Sequence, residues 1–237
     1  MVLMNSDAFQ TEILEVAQSA INYRKWLARL TFPYLGSNPL EFGSGIGDYA
    51  KEWLLLGLTK VTVSENSPSR LAMLRDVFSA YQAVETKEID IESLGYTDEK
   101  YSSVVSLNVI EHLKNDHAAL LACHKILENG GYFVAFTPAF PFLMSEFDKS
   151  VGHHRRYTKR HARELLIATG FEVVTVKYVN SIGWLAWLVG MKLLRLNPKD
   201  GFLLKIWDRL IIPLVAKSES WITPPFGQSI LIVGRAL

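Results

Sequence analysis

Apolar and polar positions along this chain change period repeatedly, and those changes outline its elements. Over residues 11–30, Ile13, Leu14, Ala17, Ile21 and Leu27 recur at helical spacing and Pro33 closes the run, which predicts one helix. Beyond it, short strand-like runs alternate with helix-period segments. Strands are expected at 40–42, 60–64, 84–89, 103–107, 132–137, 171–178 and 229–233, and helices at 49–56, 68–80, 116–127 and 159–168. Punctuation agrees with this division: Pro68 stands at a helix start, and Asn129-Gly130-Gly131 and Gly170 follow helix ends.

Strands alternating with helices imply an α/β fold, a Rossmann-like, doubly wound and mainly parallel seven-stranded sheet covered on both faces. The interval 180–227 is far too long for a hairpin and carries two apolar helical runs, 184–194 and 202–215, so a helical cap inserted before the last strand is expected. Residues 1–237 then read as a single domain, with an N-terminal helical segment at 8–32. At 237 residues and 49% hydrophobic, the chain has enough apolar side chains for one sizeable core. The lone Cys123 sits on the apolar side of a predicted helix and reads as a core residue.

A net charge of +1 creates no long-range field to gather nucleic acid. Residues 1–7 lack a basic start followed by an apolar run, so no secretory signal is expected and a cytoplasmic location is the default. The apolar stretch 182–194 is interrupted by Lys192 and is shorter than the roughly 20 residues that span a bilayer. A cap rich in leucine, with Trp184, Trp187, Phe202 and Trp207, suits an apolar or lipid-linked substrate, or peripheral contact with a membrane.

The first predicted strand runs into Gly43-Ser44-Gly45-Ile46-Gly47, where an open parallel sheet binds its ligand. Glycines let a ligand approach the backbone, and free amides at the next helix start favour an anionic group. A nicotinamide-binding turn reads G-x-G-x-x-G, but Asp48 occupies the third glycine position. Glu65, at the end of the second strand, has the position of an acid that bonds ribose hydroxyls.

Leu40-Glu41-Phe42-Gly43-Ser44-Gly45-Ile46-Gly47 resembles the first motif of class I S-adenosylmethionine-dependent methyltransferases. Asp90-Ile91, the run from Val104 to Leu113 and the turn from Leu127 to Tyr132 resemble that family's later motifs. The segments 22–27, 148–157 and 225–229 look like a bacterial subgroup often associated with glycan and secondary-metabolite clusters, with a His-x-Arg-Arg-Tyr motif at His153 to Tyr157. The resemblance implies S-adenosyl-L-methionine as cofactor. It implies that Glu41 and the turn Gly43, Ser44, Gly45 and Gly47 hold the methionine portion, Glu65 the ribose, Asp90 and Ile91 the adenine, and Asn108 the amino acid end, with Asn66 also among the cofactor-binding residues.

Methyl transfer from a sulfonium is an in-line displacement, so positioning matters most and a base is needed only when the acceptor must lose a proton. His112 and His153 are both suited to that role for a hydroxyl, and Glu111 stands beside them, either in the chemistry or as a cap. Arg156 and Tyr157 close a basic run that suits an anionic acceptor or the cofactor carboxylate. His153 and His154, with no nearby cysteine and no helical two-histidine spacing, give no expectation of a metal. The expected reaction is O-methylation of a small molecule, sugar, polyketide or lipid-linked acceptor. The rivals are an NAD(P)-dependent oxidoreductase, for which Tyr96 and Lys100 supply a Tyr-x-x-x-Lys pair, and a nonenzymatic cofactor-binding regulator.

Overall fold

A computed structural model describes residues 6–94, 97–193 and 201–237. The strands are β1 (Pro39–Phe42), β2 (Val61–Ser64), β3 (Val84–Lys87), β4 (Tyr101–Leu107), β5 (Leu127–Pro138), β6 (Phe171–Val179) and β7 (Ser229–Ala236). They form one seven-stranded sheet in the order β3-β2-β1-β4-β5-β7-β6, parallel except for β7, which runs antiparallel to both of its neighbours. The order reverses between β1 and β4, so the carboxyl end of β1 opens on the crevice where doubly wound sheets bind ligands.

Every residue of β1 and β2 is buried, as a parallel sheet covered on both faces requires. Alternate side chains divide the core into two layers. Leu40, Val104, Phe133 and Ile232 pack under α5 (Asp116–Ile126), with Cys123 among them as expected, and under α7 (Lys159–Ala168). On the opposite face, Val63, Val105, Val134 and Val233 meet α2 (Ile21–Thr31), α3 (Asp48–Leu55) and α9 (Gly201–Glu219). The helix α4 (Pro68–Val77) adds Leu74 to that layer.

The single helix expected over 11–30 is two, α1 (Ser6–Ala17) and α2. The break is stabilised from far along the chain. The buried Asp208 of α9 accepts hydrogen bonds from the backbone amides of Asn22 at 2.9 Å and Tyr23 at 2.8 Å, in place of a local cap. Asp208→Ala is therefore expected to lower stability by about 1–2 kcal/mol in urea denaturation, with Asp208→Asn retaining part of it.

Between β6 and β7 the chain forms α8 (Ser181–Ala186), a π-helical turn (Trp187–Leu193) and α9. The first apolar run thus divides in two, and its last residue, Leu194, lies outside the described residues. Glu219 ties the ends of the segment together, accepting from the amides of Asn180 (2.9 Å) and Ser181 (2.8 Å). Much of α9 packs against α2. Among the described residues, no helix is long and apolar enough to cross a membrane.

Candidate functional site

A cavity of about 550 Å³ opens at the carboxyl end of β1. It brings together Glu41, Gly43, Ser44, Gly45, Glu65, Asn66, Asp90, Ile91, Asn108, Glu111, His112, His153 and Arg156, whereas Gly47 and Tyr157 lie outside its lining. A larger groove of about 770 Å³, between α2 and α9, contains none of the predicted site residues.

Local geometry accounts for the glycine turn. Gly43 and Gly47 have φ of 68° and 79°, in the left-handed region that penalises other residues. A Cβ on Gly47 would also lie 2.4 Å from Phe78 Cε2, and one on Gly43 2.7 Å from Val109 Cγ2. The absence of side chains here lets α3 seat closely on α4 and leaves the turn's backbone facing the cavity.

Both oxygens of Glu65 are hydrogen-bonded within the protein. One oxygen accepts from the Gly45 amide at 3.0 Å; the other accepts from the amides of Asn66 (3.1 Å) and Ser67 (3.2 Å) and from Arg70 Nη2 (3.1 Å). Glu41 contrasts with it. That carboxyl is 2% exposed, and its Oε2 has no hydrogen-bond partner among the described residues. Burial pushes its pKa up to about 8, opposed by a Ser44 hydrogen bond and reinforced by the charges of Asp48 and Glu65. Asp90 is exposed and accepts from the Glu92 amide and Ser93 Oγ, while the neighbouring Ile91 is buried. Asn108 holds a positive φ of 56° and donates its amide to the Phe136 carbonyl at 2.7 Å, which bends the chain out of β4 along the cavity.

At the other end, a 3-10 turn (Ile110–His112) after β4 directs Glu111 inward. Glu111 is fully buried; Oε2 accepts from Thr137 Oγ1 at 2.9 Å, and Oε1 has no hydrogen-bond partner among the described residues. Burial raises its pKa. His153 Nε2 lies 3.9 Å from Glu111 Oε1, and the His112 and His153 rings meet edge to face with centroids 4.6 Å apart. Burial first, and then the neighbouring His153, pull His112 down to about 4, so it is a neutral imidazole at neutral pH.

The residue that organises this end was absent from the predicted set. Asp148 lies in the short helix α6 (Glu146–Ser150), built on a Ser145–Asp148 capping box. Its Oδ1 meets His153 Nδ1 at 2.9 Å and accepts from Arg156 Nε (3.0 Å) and Nη2 (2.8 Å). Burial favours the neutral acid, yet His153, Arg156 and Ser145 together hold Asp148 at about 2. Arg156 is spent on this pairing: its Nη1 donates to the Ala139 carbonyl, and the guanidinium stacks 4.8 Å from the Trp187 ring centre. These contacts tie Arg156 to Asp148 at the edge of the cavity.

Tyr157 requires a larger correction. It is fully buried and outside the cavity, with its hydroxyl donating to Asp116 Oδ2 at 2.8 Å, and burial pushes its pKa well up, so it is a core residue rather than a participant in chemistry. The contribution expected from the cap also narrows. Among the described residues of 180–227, Trp187 lines the cavity; Trp184 instead packs against Phe140 and Phe226, and the side chain of Phe202 lies outside the described set. Tyr96, half of the Tyr-x-x-x-Lys pair, is also outside the described residues.

Residues 40–135, which carry the glycine turn and the Glu111 motif, match a family model described as a methyltransferase domain. The chain is also 27% identical, over 147 residues, to a protein of Mycolicibacterium smegmatis named "Probable S-adenosylmethionine-dependent methyltransferase", a match covering 61% of this chain and 56% of that protein's length. Among solved structures, a Haloferax volcanii protein in complex with the Trm112 methyltransferase activator superposes with a TM-score of 0.68 at 16% identity, covering 100% of this chain and 99% of its own. A geranyl diphosphate methyltransferase in complex with SAM gives 0.62 at 12% identity, covering 90% and 85%. The fold is thus the Rossmann-like one of class I methyltransferases. The match over 40–135 speaks for methyl transfer over the nicotinamide alternative, in agreement with Asp48 at the third glycine position of that turn.

Proposed function

We propose that the chain transfers the methyl group of S-adenosyl-L-methionine to an oxygen of a small hydroxylated acceptor. The observation that carries this reading is a single cavity with two different polar ends, the glycine turn with Glu41 at one and Glu111, His112 and His153 at the other. The unpartnered, buried Glu41 Oε2 suits the ammonium of the cofactor's methionine portion, and no neutral donor among the described residues occupies that place. Glu65, already aimed by the Gly45 amide, would meet the ribose, with Asn66 beside it. Asp90 and Ile91 would flank the adenine, and Asn108 the amino acid end.

When bound, the cofactor supplies an activated methyl on a sulfonium. The protein's part is to hold the acceptor oxygen in line with it and to keep water out. Ile13 and Leu14 of α1 and Trp187 line the cavity as apolar cover, while the Glu111 end offers the polar groups that orient a hydroxyl and receive its hydrogen bond. Oxygen is favoured over an adenine amino group because enzymes acting on such groups resemble one another in a proline-rich motif at the fourth strand, and Asn108-Val109-Ile110-Glu111 has no proline there.

The test is incubation with methyl-labelled S-adenosylmethionine and matched hydroxyl and amine acceptors, with calorimetric titration of S-adenosylhomocysteine and NADH alongside. Label on hydroxyl acceptors and binding of the first ligand alone are expected; label confined to nitrogen overturns the oxygen assignment.

A further inference from the structure

We propose that Glu111, His112 and His153 form a binding site for one first-row divalent cation. Each offers a ligand atom, and these atoms lie within 4.8 Å of one another. Ligands at about 2.1 Å from a shared ion sit roughly 3–4 Å apart, so small side-chain rotations close the set. Independently of the spacing, Glu111 Oε1 is a buried carboxylate oxygen with no hydrogen-bond partner among the described residues, and it faces this cluster. A buried oxygen of that kind is costly unless something positive meets it.

The surroundings also resemble a ligand shell. A histidine that binds a metal usually donates its other ring nitrogen to a carboxylate, which fixes the tautomer and aims the free nitrogen. Here His153 Nδ1 is 2.9 Å from Asp148 Oδ1, leaving Nε2 turned towards Glu111. Asp148 is itself held by Arg156 and Ser145, so the support is rigid. On the other side, a Cβ at Gly152 would lie 3.7 Å from His112 Nδ1, so that edge of the ring faces backbone. Two imidazoles and one carboxylate with further positions open suit manganese, iron, cobalt or zinc rather than magnesium or calcium.

The cluster lies in the same cavity as the glycine turn, so an ion there has open positions for acceptor oxygens. Such an ion would fix the orientation of a hydroxyl and lower its pKa. That role rests on the methyl-transfer reading; the binding of the cation does not.

The experiment uses the whole chain, stripped with a chelator and titrated with Mn²⁺, Zn²⁺ and Co²⁺ by calorimetry, with Co²⁺ also followed by its visible absorption. One ion per chain with micromolar affinity is expected, together with absorption bands typical of imidazole ligation. His112→Gln and His153→Gln should each weaken binding at least tenfold, while His154→Gln, at an exposed neighbouring position, should leave it unchanged. S-adenosylhomocysteine titration and a thermal melt of each variant confirm that it folds. Intact S-adenosylhomocysteine binding with no uptake at millimolar cation overturns the cation site alone. Uptake that survives in the double histidine variant overturns the ligand assignment. Failure to bind S-adenosylhomocysteine counts against the methyl-transfer reading instead, leaving cation uptake to be judged on its own.

Discussion

Replacing Glu41 with glutamine is expected to raise the dissociation constant for S-adenosylhomocysteine between about tenfold and a hundredfold at pH 8, the worth of a charge-assisted hydrogen bond. The same change should flatten the pH dependence of binding. Burial raises the folded-state pKa of Glu41 from its ordinary 4.5 to about 8, so the ligand-free side chain is mostly the neutral acid at pH 7. The groups facing it are Ser44, Asp48, Tyr49 and Glu65, with Arg24 drawn towards Asp48 at 3.6 Å, and the net field there disfavours a second negative charge. Pairing with an ammonium therefore requires Glu41 to lose its proton first. Affinity should climb as pH rises from about 5 and level off near 8, with proton release visible as a dependence of binding enthalpy on the buffer. The Glu41→Gln protein has no such proton to release. A wild-type affinity that is flat between pH 6 and 8 would remove Glu41 from contact with the ammonium. The linkage for folding has the opposite slope. A carboxyl whose folded pKa is raised costs stability as pH rises from 4.5 through 8, so Glu41 by itself lowers the stability of the ligand-free protein across that window, while His112, held down to about 4, acts in the opposite sense up to its ordinary 6.5.

How much of this site was legible beforehand depended on how local its causes are. The strand–turn–helix around Gly43 to Gly47 is encoded by adjacent residues, and the helix predicted at 159–168 matches α7 because Thr158 caps it and Gly170 ends it within the same segment. The helix break at Gln18 to Ala20 was invisible because the carboxylate that caps α2 comes from Asp208, which packing alone brings there. Asp148 was missed for a related reason. Its helix spans five residues, too few to show a period, although the Ser145-x-x-Asp148 spacing was available as a signal. Arg156 and Tyr157 stand side by side in one basic run. Tyr157 forms a bridge with Ala139, so neighbouring side chains there point to opposite sides, Arg156 to the cavity and Tyr157 to the core. His112 and His153 come from separate segments, so no spacing rule could show that their rings touch.

Arg156→Ala is expected to destabilise the fold by about 3 kcal/mol while leaving S-adenosylhomocysteine affinity within about twofold. Arg156 is 4% exposed and its two hydrogen bonds to Asp148 Oδ1 are the fork that offsets the cost of burying that charge. Truncation leaves the carboxylate with His153 and Ser145 but without its cation, which places the loss at the lower end of the range for a broken buried pair. For a chain of this length, that corresponds to a fall in melting temperature on the order of 10 °C. Arg156→Lys keeps the charge but loses the planar fork and the stacking on Trp187, and should fall between the two. The separation of stability from cofactor affinity is the informative part. Arg156 belongs to the His153 end of the cavity, so its loss should release His153 from a fixed orientation and lower methyl transfer without touching the glycine turn. A melting temperature equal to wild type would show that the pairing with Asp148 contributes nothing to the fold. Lost S-adenosylhomocysteine binding in a protein that still melts cooperatively would instead place Arg156 at the cofactor's carboxylate, the other role that its guanidinium suits.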